Sequence, residues 1–318
     1  MLERDEGALG WRIDHIYRTD PDYPDDLGPL ARPGVAVQEG DVIEKINGVS
    51  TLSVADPAAL LKNQAGRQVL LSIRERSPRR TREVIVEPIT PTQAADLRYG
   101  EWEYTRRRTV EMLGEGRIGY VHLRAMDARD IGEWARSFYP VYDREGLIID
   151  ARRNNGGNID SWIIEKLLRK AWLYWKPRVG RPYWNMQYAF RGHLIVLCDE
   201  RTVSDGEVFV EAFRRLNLGK IVGTRTYGGE LWYSTSNFRL TDLGYVTAGQ
   251  TGVYGPEGRW MIEGHGVEPD IIVDNLPHAT FLGSDAQLEA AIELLKRRIE
   301  LEPVEVPPAP AYPDIFTQ

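Results

Sequence analysis

The stretch Thr202-Val203-Ser204-Asp205-Gly206-Glu207 joins an apolar run, His193-Leu194-Ile195-Val196-Leu197-Cys198-Asp199, to an apolar-periodic run that begins Val208-Phe209-Val210-Glu211-Ala212-Phe213. The first run reads as a buried strand and the second as a helix, so Ser204 stands at a strand-to-helix turn. A serine there can cap the helix by accepting a hydrogen bond from its first turn. It can also stand at the positive end of the helix dipole, where an oxyanion is stabilised. Taken alone, the cap is the more ordinary role. The same strand–turn–helix unit recurs outward from this point. Residues 118–123 and 147–150 read as strands, each followed by a helix, over 128–142 and 159–172, and 220–224 reads as a further strand. This alternation predicts βαβ units with right-handed crossovers and a largely buried sheet, an α/β fold. Residues 231–274 read as β-rich and turn-rich, and 285–300 as an amphipathic helix with Leu288, Ala291, Ile292 and Leu295 on one face.

A chain of 318 residues suggests about two domains. The apolar fraction of 42% and charged fraction of 27% are those of an ordinary soluble protein. A net charge of -7 argues against a general nucleic-acid or anionic-membrane binder. No apolar run approaches the roughly 20 residues that span a bilayer. The start, Met1-Leu2-Glu3-Arg4-Asp5-Glu6, is acidic and lacks the apolar core of a signal peptide, so a cytoplasmic location is expected. The single cysteine, Cys198, lies in an apolar strand and reads as a buried, inert thiol. Tryptophans and tyrosines cluster at Trp162, Trp172, Tyr174, Trp175, Tyr183, Trp184 and Tyr188, a pattern of core plus subunit contact. No spacing of histidine, cysteine or carboxylate suggests a metal site, and no cofactor is expected.

Ahead of the α/β region, 11–16 and 41–46 alternate at period two, Asn47-Gly48 is a hairpin-type turn, and 69–74 and 82–87 read as closing strands. Gly7-Ala8-Leu9-Gly10-Trp11 is similar to the Gly-Leu-Gly-Phe loop of PDZ domains. Pro33-Gly34, then Glu39-Gly40-Asp41-Val42-Ile43 and Ile46-Asn47-Gly48, resemble the circularly permuted PDZ domains of proteases. Such a loop implies peptide binding through Leu9, Gly10 and Trp11. Its successive amides hold a terminal carboxylate, and the adjacent strand edge accepts an extended peptide. The expected partition is a PDZ-like domain over 1–90, a linker over 91–116 that carries Arg106-Arg107-Arg108, a catalytic core over 117–301, and an extended, mobile Pro-rich tail over 302–318.

Asp150-Ala151-Arg152-Arg153-Asn154-Asn155-Gly156-Gly157 also follows a strand and precedes a helix. Neighbouring strands would bring this turn and the Ser204 turn to one sheet edge, where α/β ligand sites form. The amide of Asp205 and that of Gly157 or Gly156 are then placed to make an oxyanion hole. The pattern Asp-x-Arg-x-Asn-x-Gly-Gly, then Ser204, then Gly223-Thr224-Arg225-Thr226-Tyr227-Gly228-Gly229, resembles the C-terminal-processing/tricorn protease family over residues 7 to about 300. The resemblance implies a crotonase-like (ClpP/crotonase) core with Ser204 as nucleophile. The processing branch places a dyad lysine where this chain has Gly229, so that dyad is absent, and Lys220 is not its substitute. Glu263-Gly264-His265-Gly266-Val267-Glu268-Pro269-Asp270 resembles the tricorn branch, in which a histidine is the base and a glutamate, here Glu263, orients it.

In that branch the histidine comes from a domain before the PDZ domain, so the base is expected on an N-terminal segment outside this sequence. Among the five histidines, His265 is a candidate base because a strand would point it and Glu263 to one face. The more ordinary reading of His265 is a surface residue. The expected function is a serine endopeptidase acting on peptides or unfolded polypeptides, and the resemblance implies a homo-oligomer. The alternative is a non-catalytic peptide-binding module. A crotonase-type acyl-CoA enzyme explains neither the PDZ motif nor a serine beside the hole. The segment 171–184 contains no acid, and its aromatic residues suggest an apolar substrate pocket.

Overall fold

The computed structural model describes residues 1–78, 80–233, 240–244 and 246–313. Its internal contacts divide the chain between Arg106 and Arg107. In the first unit, alternating apolar residues build one antiparallel sheet. Its strands are β1 (Leu2–Asp5), β2 (Gly10–Ile13), β3 (Val42–Ile46), β4 (Val49–Ser50), β5 (Val69–Arg74) and β6 (Thr81–Val86). Their spatial order is β1-β2-β3-β5-β6, with β4 against β3. Val69, Leu71 and Ile73, two residues apart on β5, pack with Ile13, Ile43, Ile46, Val84 and Val86.

The strand beside the glycine loop does not have the free edge that the sequence suggested. β2 pairs with β1 from Leu2↔Ile13 to Asp5↔Gly10, and with β3 at Trp11↔Ile43 and Arg12↔Val42. A neighbour on each side leaves no edge for an added strand beside Leu9, Gly10 and Trp11. The acidic start of the chain is the strand that covers it, and Arg12 ties the pair together through Glu3 and Asp5. A cavity of about 710 Å³ lies beside the loop, with Asp5, Gly7, Ala8, Arg12, Glu39 and Arg76 in its wall. Leu9 is exposed at φ +56°, and the Trp11 indole donates to the Thr51 carbonyl at 3.3 Å.

Most of the segment read as a linker is a helix, α1 (Pro91–Leu113). It carries no apolar stripe, and Val110 is its buried residue. The second unit then follows the expected alternation. Its elements are β7 (Ile118–His122), α2 (Ala128–Phe138), β8 (Gly146–Asp150), α3 (Asp160–Leu167), β9 (Leu173–Trp175), β10 (Tyr183–Asn185), β11 (His193–Cys198), α4 (Asp205–Arg215), β12 (Gly219–Gly223), β13 (Ile271–Ile272), α5 (Pro277–Phe281) and α6 (Ala286–Leu301). The main sheet is parallel throughout, in the order β13-β12-β11-β8-β7. Both faces are buried. Val121, Leu147, Ile149, Val196 and Cys198 pack with Trp134, Phe138, Ile163, Phe209 and Phe213 of α2, α3 and α4. Ile118, Tyr120, Ile148, Ile195, Leu197 and Val222 pack with Leu288, Ile292, Leu295 and Ile299 of α6. Two covered faces explain why these strands read as continuous apolar runs.

The helix expected over 159–172 ends at Leu167, and an aromatic hairpin, β9–β10, follows it. Trp175 and Tyr183 stack across the hairpin, and the Arg191 guanidinium lies over Tyr174 and Trp184. Over 231–274 the described residues form less strand than expected: bridges Trp232↔Thr251 and Tyr254↔Trp260, and β13. Positions 234–239 and 245 of that stretch lie outside the described residues. The tail is held at several points. His193 Nε2 meets the Glu302 carbonyl at 2.7 Å, Arg191 donates to the Glu305 carbonyl, and the Tyr312 hydroxyl donates to the Lys176 carbonyl at 2.8 Å. Cys198 is buried and donates to the Thr224 carbonyl, and burial pushes its thiol far above the ordinary range. Among the described residues no helix is long and apolar enough to cross a membrane.

Candidate active site

β8 and β11 are adjacent and parallel, with Asp150 opposite Leu197, so the turns that follow them lie side by side. Three bonds lock the turns together. Ala151 N–H donates to the Leu197 carbonyl at 2.9 Å, Val203 N–H to the Asn154 carbonyl at 3.0 Å, and the Thr202 hydroxyl to the Ala151 carbonyl at 2.8 Å. The motif residues anchor the first turn from below. Arg152, fully buried, grips Asp150 through Nε (2.9 Å) and Nη2 (2.7 Å) and Asp285 through Nη1 (2.7 Å). Burial works against the charge on Asp150, but Arg152 overcomes it and holds the carboxyl below its ordinary range. Asn154 donates to the Leu123 carbonyl at 2.9 Å and accepts from the Gly156 amide at 2.9 Å.

Ser204 has φ +58° and ψ -131°, a backbone conformation that costs an L-residue about 1–3 kcal/mol. Its carbonyl and amide bind the helix start, and its side chain faces the Glu207 backbone in a capping-box arrangement without a cap hydrogen bond. The Ser204 amide donates to Glu207 Oε2 at 3.0 Å, and the Glu207 amide donates to the Ser204 carbonyl at 2.6 Å. Ser204 keeps the N-cap position, but no amide of the first turn donates a hydrogen bond to its hydroxyl. Gly156 lies directly against it: a Cβ added there would fall 2.5 Å from Ser204 Cβ and 3.1 Å from Oγ. At Gly157, φ +153°, a Cβ would fall 1.8 Å from the Met126 carbonyl oxygen. Only glycine fits at either place.

The amides around the hydroxyl sort themselves. Gly156 N–H is taken by Asn154, which corrects its candidacy as an oxyanion donor. The amides of Gly157 and Asp205 donate to no acceptor among the described residues. The Asp205 side chain has a separate task. Its Oδ2 accepts from the Ile159 and Asp160 amides at 2.9 and 3.1 Å, capping α3, whose own N-cap residue, Ile159, has no side-chain acceptor. Burial first, and then Asp160, push the Asp205 carboxyl up to about 6.

The Gly228–Gly229 turn closes the site on another side. Glu207, completely buried, accepts four hydrogen bonds: from the Ser204 amide, the Thr226 hydroxyl, and the Gly228 and Gly229 amides at 2.7 and 2.9 Å. One carboxylate thus fixes Ser204 to the turn. Glu263 fixes the next two residues, because its Oε2 accepts from the Glu230 and Leu231 amides at 2.6 and 2.8 Å. Its Oε1 has no partner among the described residues. The Glu230 side chain is buried too, and accepts from the Trp232 indole at 2.8 Å. Neither Glu207 nor Glu230 belongs to a catalytic motif of the sequence. Glu207 stands three residues after Ser204 as a capping glutamate would, which was the available signal.

His265 does not join Glu263 as expected. Residues 262–265 form a turn, with φ +68° at Ile262 and +79° at Gly264, so the two side chains do not share a strand face. His265 Nδ1 faces the main-chain carbonyl of Glu263 at 3.2 Å. Of the other histidines, His122 is buried against the Asp150 carbonyl, His193 meets the tail, and His15 lies between Glu39 and Glu101 in the first unit. Among the described residues no group of His, Cys, Asp and Glu is disposed to hold a metal ion.

Comparison with known proteins agrees with this arrangement. Residues 117–273 match peptidase family S41, and residues 2–91 match the tricorn protease PDZ domain. Tricorn protease homolog 1 of Streptomyces coelicolor is 34% identical over 309 residues, 97% of this chain and 28% of that protein. The tricorn protease of Thermoplasma acidophilum is 30% identical over 272 residues, 86% of this chain and 25% of that protein. The crystal structure of the tricorn protease superposes with a TM-score of 0.80 and 28% identity, covering 91% of this chain and 28% of that one. This chain therefore spans about a quarter of the length of these relatives. With the strained serine, the glycine turn against it and both domain matches in sequence order, the chain belongs to peptidase family S41, with a PDZ domain of the tricorn type preceding the peptidase domain.

Proposed function

We propose that this chain is the PDZ and peptidase portion of a tricorn-type serine endopeptidase that cleaves peptides or unfolded polypeptides through an acyl-enzyme. Ser204 Oγ attacks the scissile carbonyl carbon, and the carbonyl oxygen takes the negative charge between the Gly157 and Asp205 amides. A histidine accepts the Oγ proton and returns it to the leaving amine; water then attacks the ester, and the same histidine serves the second step. Glu263 orients that histidine through Oε1, its Oε2 being held by two amides. The histidine is assigned to a segment outside these 318 residues, as the resemblance to the tricorn branch implies, and His265 Nδ1 lies on the Glu263 main-chain carbonyl and not on its carboxylate. Substrate is captured near the glycine loop of the first unit, at the cavity that Gly7 and Ala8 line. Residues 1–90, 117–301 and 302–318 act as PDZ domain, crotonase-like core and tail. A cytoplasmic oligomer is part of the same proposal, supported by the acidic composition and the exposed aromatic hairpin around Trp172, Trp175 and Tyr183.

The observation that carries the proposal is a strained serine at a helix start, its side chain against Gly156, with the Gly157 and Asp205 amides donating to no acceptor among the described residues. A fluorophosphonate probe should label the protein, supplemented with the upstream segment of a relative, and Ser204→Ala should abolish labelling; undiminished labelling of the variant removes Ser204 as nucleophile. One observation favours a second reading, a non-catalytic peptide-binding module: four of the five histidines are engaged away from Ser204 or face main-chain oxygen. Peptidase activity of the chain without any added segment would reject that module.

A further inference from the structure

The Glu230 carboxyl is enclosed just after the Gly228–Gly229 turn but is not solvated by the protein in the way Glu207 is. It is 1% exposed. Oε1 accepts one hydrogen bond, from the Trp232 indole, and Oε2 is buried with no partner among the described residues. The charged groups that act on it most strongly are acidic: Asp205 and Glu207 from α4 and Asp160 from the start of α3. Glu263 binds the amide of Glu230 itself. A carboxylate in such a place has one donor to offset its desolvation, and its neighbours repel it. The protonated acid suits the pocket, with the proton on Oε2, because Oε1 is the acceptor for the indole. Burial, then the three acids, push the group up to about 7.

We infer that Glu230 is a positioning residue for Ser204 that works as the neutral acid: while it holds its proton, residues 228–231 stay seated on Glu207 and Glu263, and loss of the proton unseats them. The inference rests on the peptidase reading for its meaning, although not for all of its tests. Glu230 touches neither Ser204 nor the two open amides. Its influence passes through the turn, whose Gly228 and Gly229 amides share Glu207 with the Ser204 amide, and whose Glu230 and Leu231 amides hold Glu263. Ionisation brings a further negative charge beside Asp205 and Glu207, and the segment that can move away is the one that carries it.

The test uses the complete 318-residue chain with the upstream segment added for labelling. The first readout is intrinsic fluorescence against pH, taken as the difference between wild type and Glu230→Gln. A transition centred near neutrality, absent from the variant, is expected because the Trp232 indole rests on Oε1; identical titrations overturn the inference. The second readout is the rate at which fluorophosphonate labels Ser204. The ratio of the Glu230→Gln rate to the wild-type rate should rise at least about fivefold from pH ~6 to ~8.5, which cancels the titration of the histidine base common to both. Labelling with a flat ratio overturns the role of Glu230 alone, whereas no labelling of either protein at any pH overturns the peptidase reading and this role with it. Trp232→Phe gives a direction that does not depend on how well Glu230→Gln folds. It removes the one donor that favours the charged form, so the alkaline fall in labelling should move to higher pH, and a move to lower pH overturns the inference.

Discussion

The pocket around Glu207 and the pocket around Glu230 sit on the same Gly228–Gly229 turn, and they treat a buried carboxyl in opposite ways. Four donors converge on Glu207, two of them from successive glycine amides that no side chain obstructs. One indole reaches Glu230, and the charges that act on it most strongly are those of acids. Burial is nearly equal, at 0% and 1% exposure, so what sets the two pockets apart is the supply of donors. The Glu207 pocket is a fixed joint between the serine and the turn. The Glu230 pocket holds the same turn only in one protonation state.

The sharpest way to break this contrast is to empty the first pocket. Glu207→Ala leaves three amides and a hydroxyl without their acceptor, and should cost about 3–5 kcal/mol of stability by chemical denaturation. Labelling of Ser204 should fall by about a hundredfold or more, since the joint that sets its backbone is gone. A loss below about 1 kcal/mol would mean that water replaces the carboxylate and that the joint is not rigid.

The second pocket answers to pH. An unfolded glutamate titrates near ~4.3, and the folded Glu230 keeps its proton up to about 7. Between those limits the folded chain binds more protons than the unfolded one, so stability falls as pH rises. The contribution of neutral Glu230 is whole below the lower value and is lost through the upper one. Glu230→Gln removes this dependence, and should become more stable than wild type above neutrality by on the order of 1–3 kcal/mol. Parallel stability–pH curves for the two proteins would show that Glu230 titrates alike in the folded and unfolded chain.

These two pockets also mark the limit of what the residues disclosed by themselves. The strand–turn–helix units were legible because a sheet covered on both faces needs unbroken apolar runs, as at 147–150 and 193–198. Ser204 and the Gly156-Gly157 turn were legible because chemistry and backbone freedom restrict their residue types. Helix α1 was not, since it has no apolar stripe to give a period, with Val110 its buried residue. Neither was the strand β1, whose residues are mostly exposed and which is held by pairing with β2. Glu207 has only the spacing of a capping glutamate in its sequence, and Glu230 has no signal at all. What separates them is the number of amides brought in from a turn about 20 residues away, which only folding determines. His265 misses the Glu263 carboxylate for the same reason: spacing of two implies a shared face in a strand, and the segment is a turn.

The smallest expected effect tests whether Glu207 is what keeps the serine strained. Ser204→Gly places a residue that tolerates positive φ where φ is now +58°. Relief of the strain should exceed the extra flexibility glycine gives the unfolded chain, for a net gain of about 1 kcal/mol in wild type, with labelling lost. The gain depends on the backbone being forced into that conformation by the Ser204 amide bond to Glu207 and the close approach of Gly156. In a Glu207→Ala background the serine is free to relax, so the same substitution should yield little. The two changes should therefore be non-additive by about 0.5–1 kcal/mol in a double-mutant cycle of denaturation midpoints. Additivity would place the origin of the strain in the Gly156 contact alone, and would reduce Glu207 to an anchor for the turn.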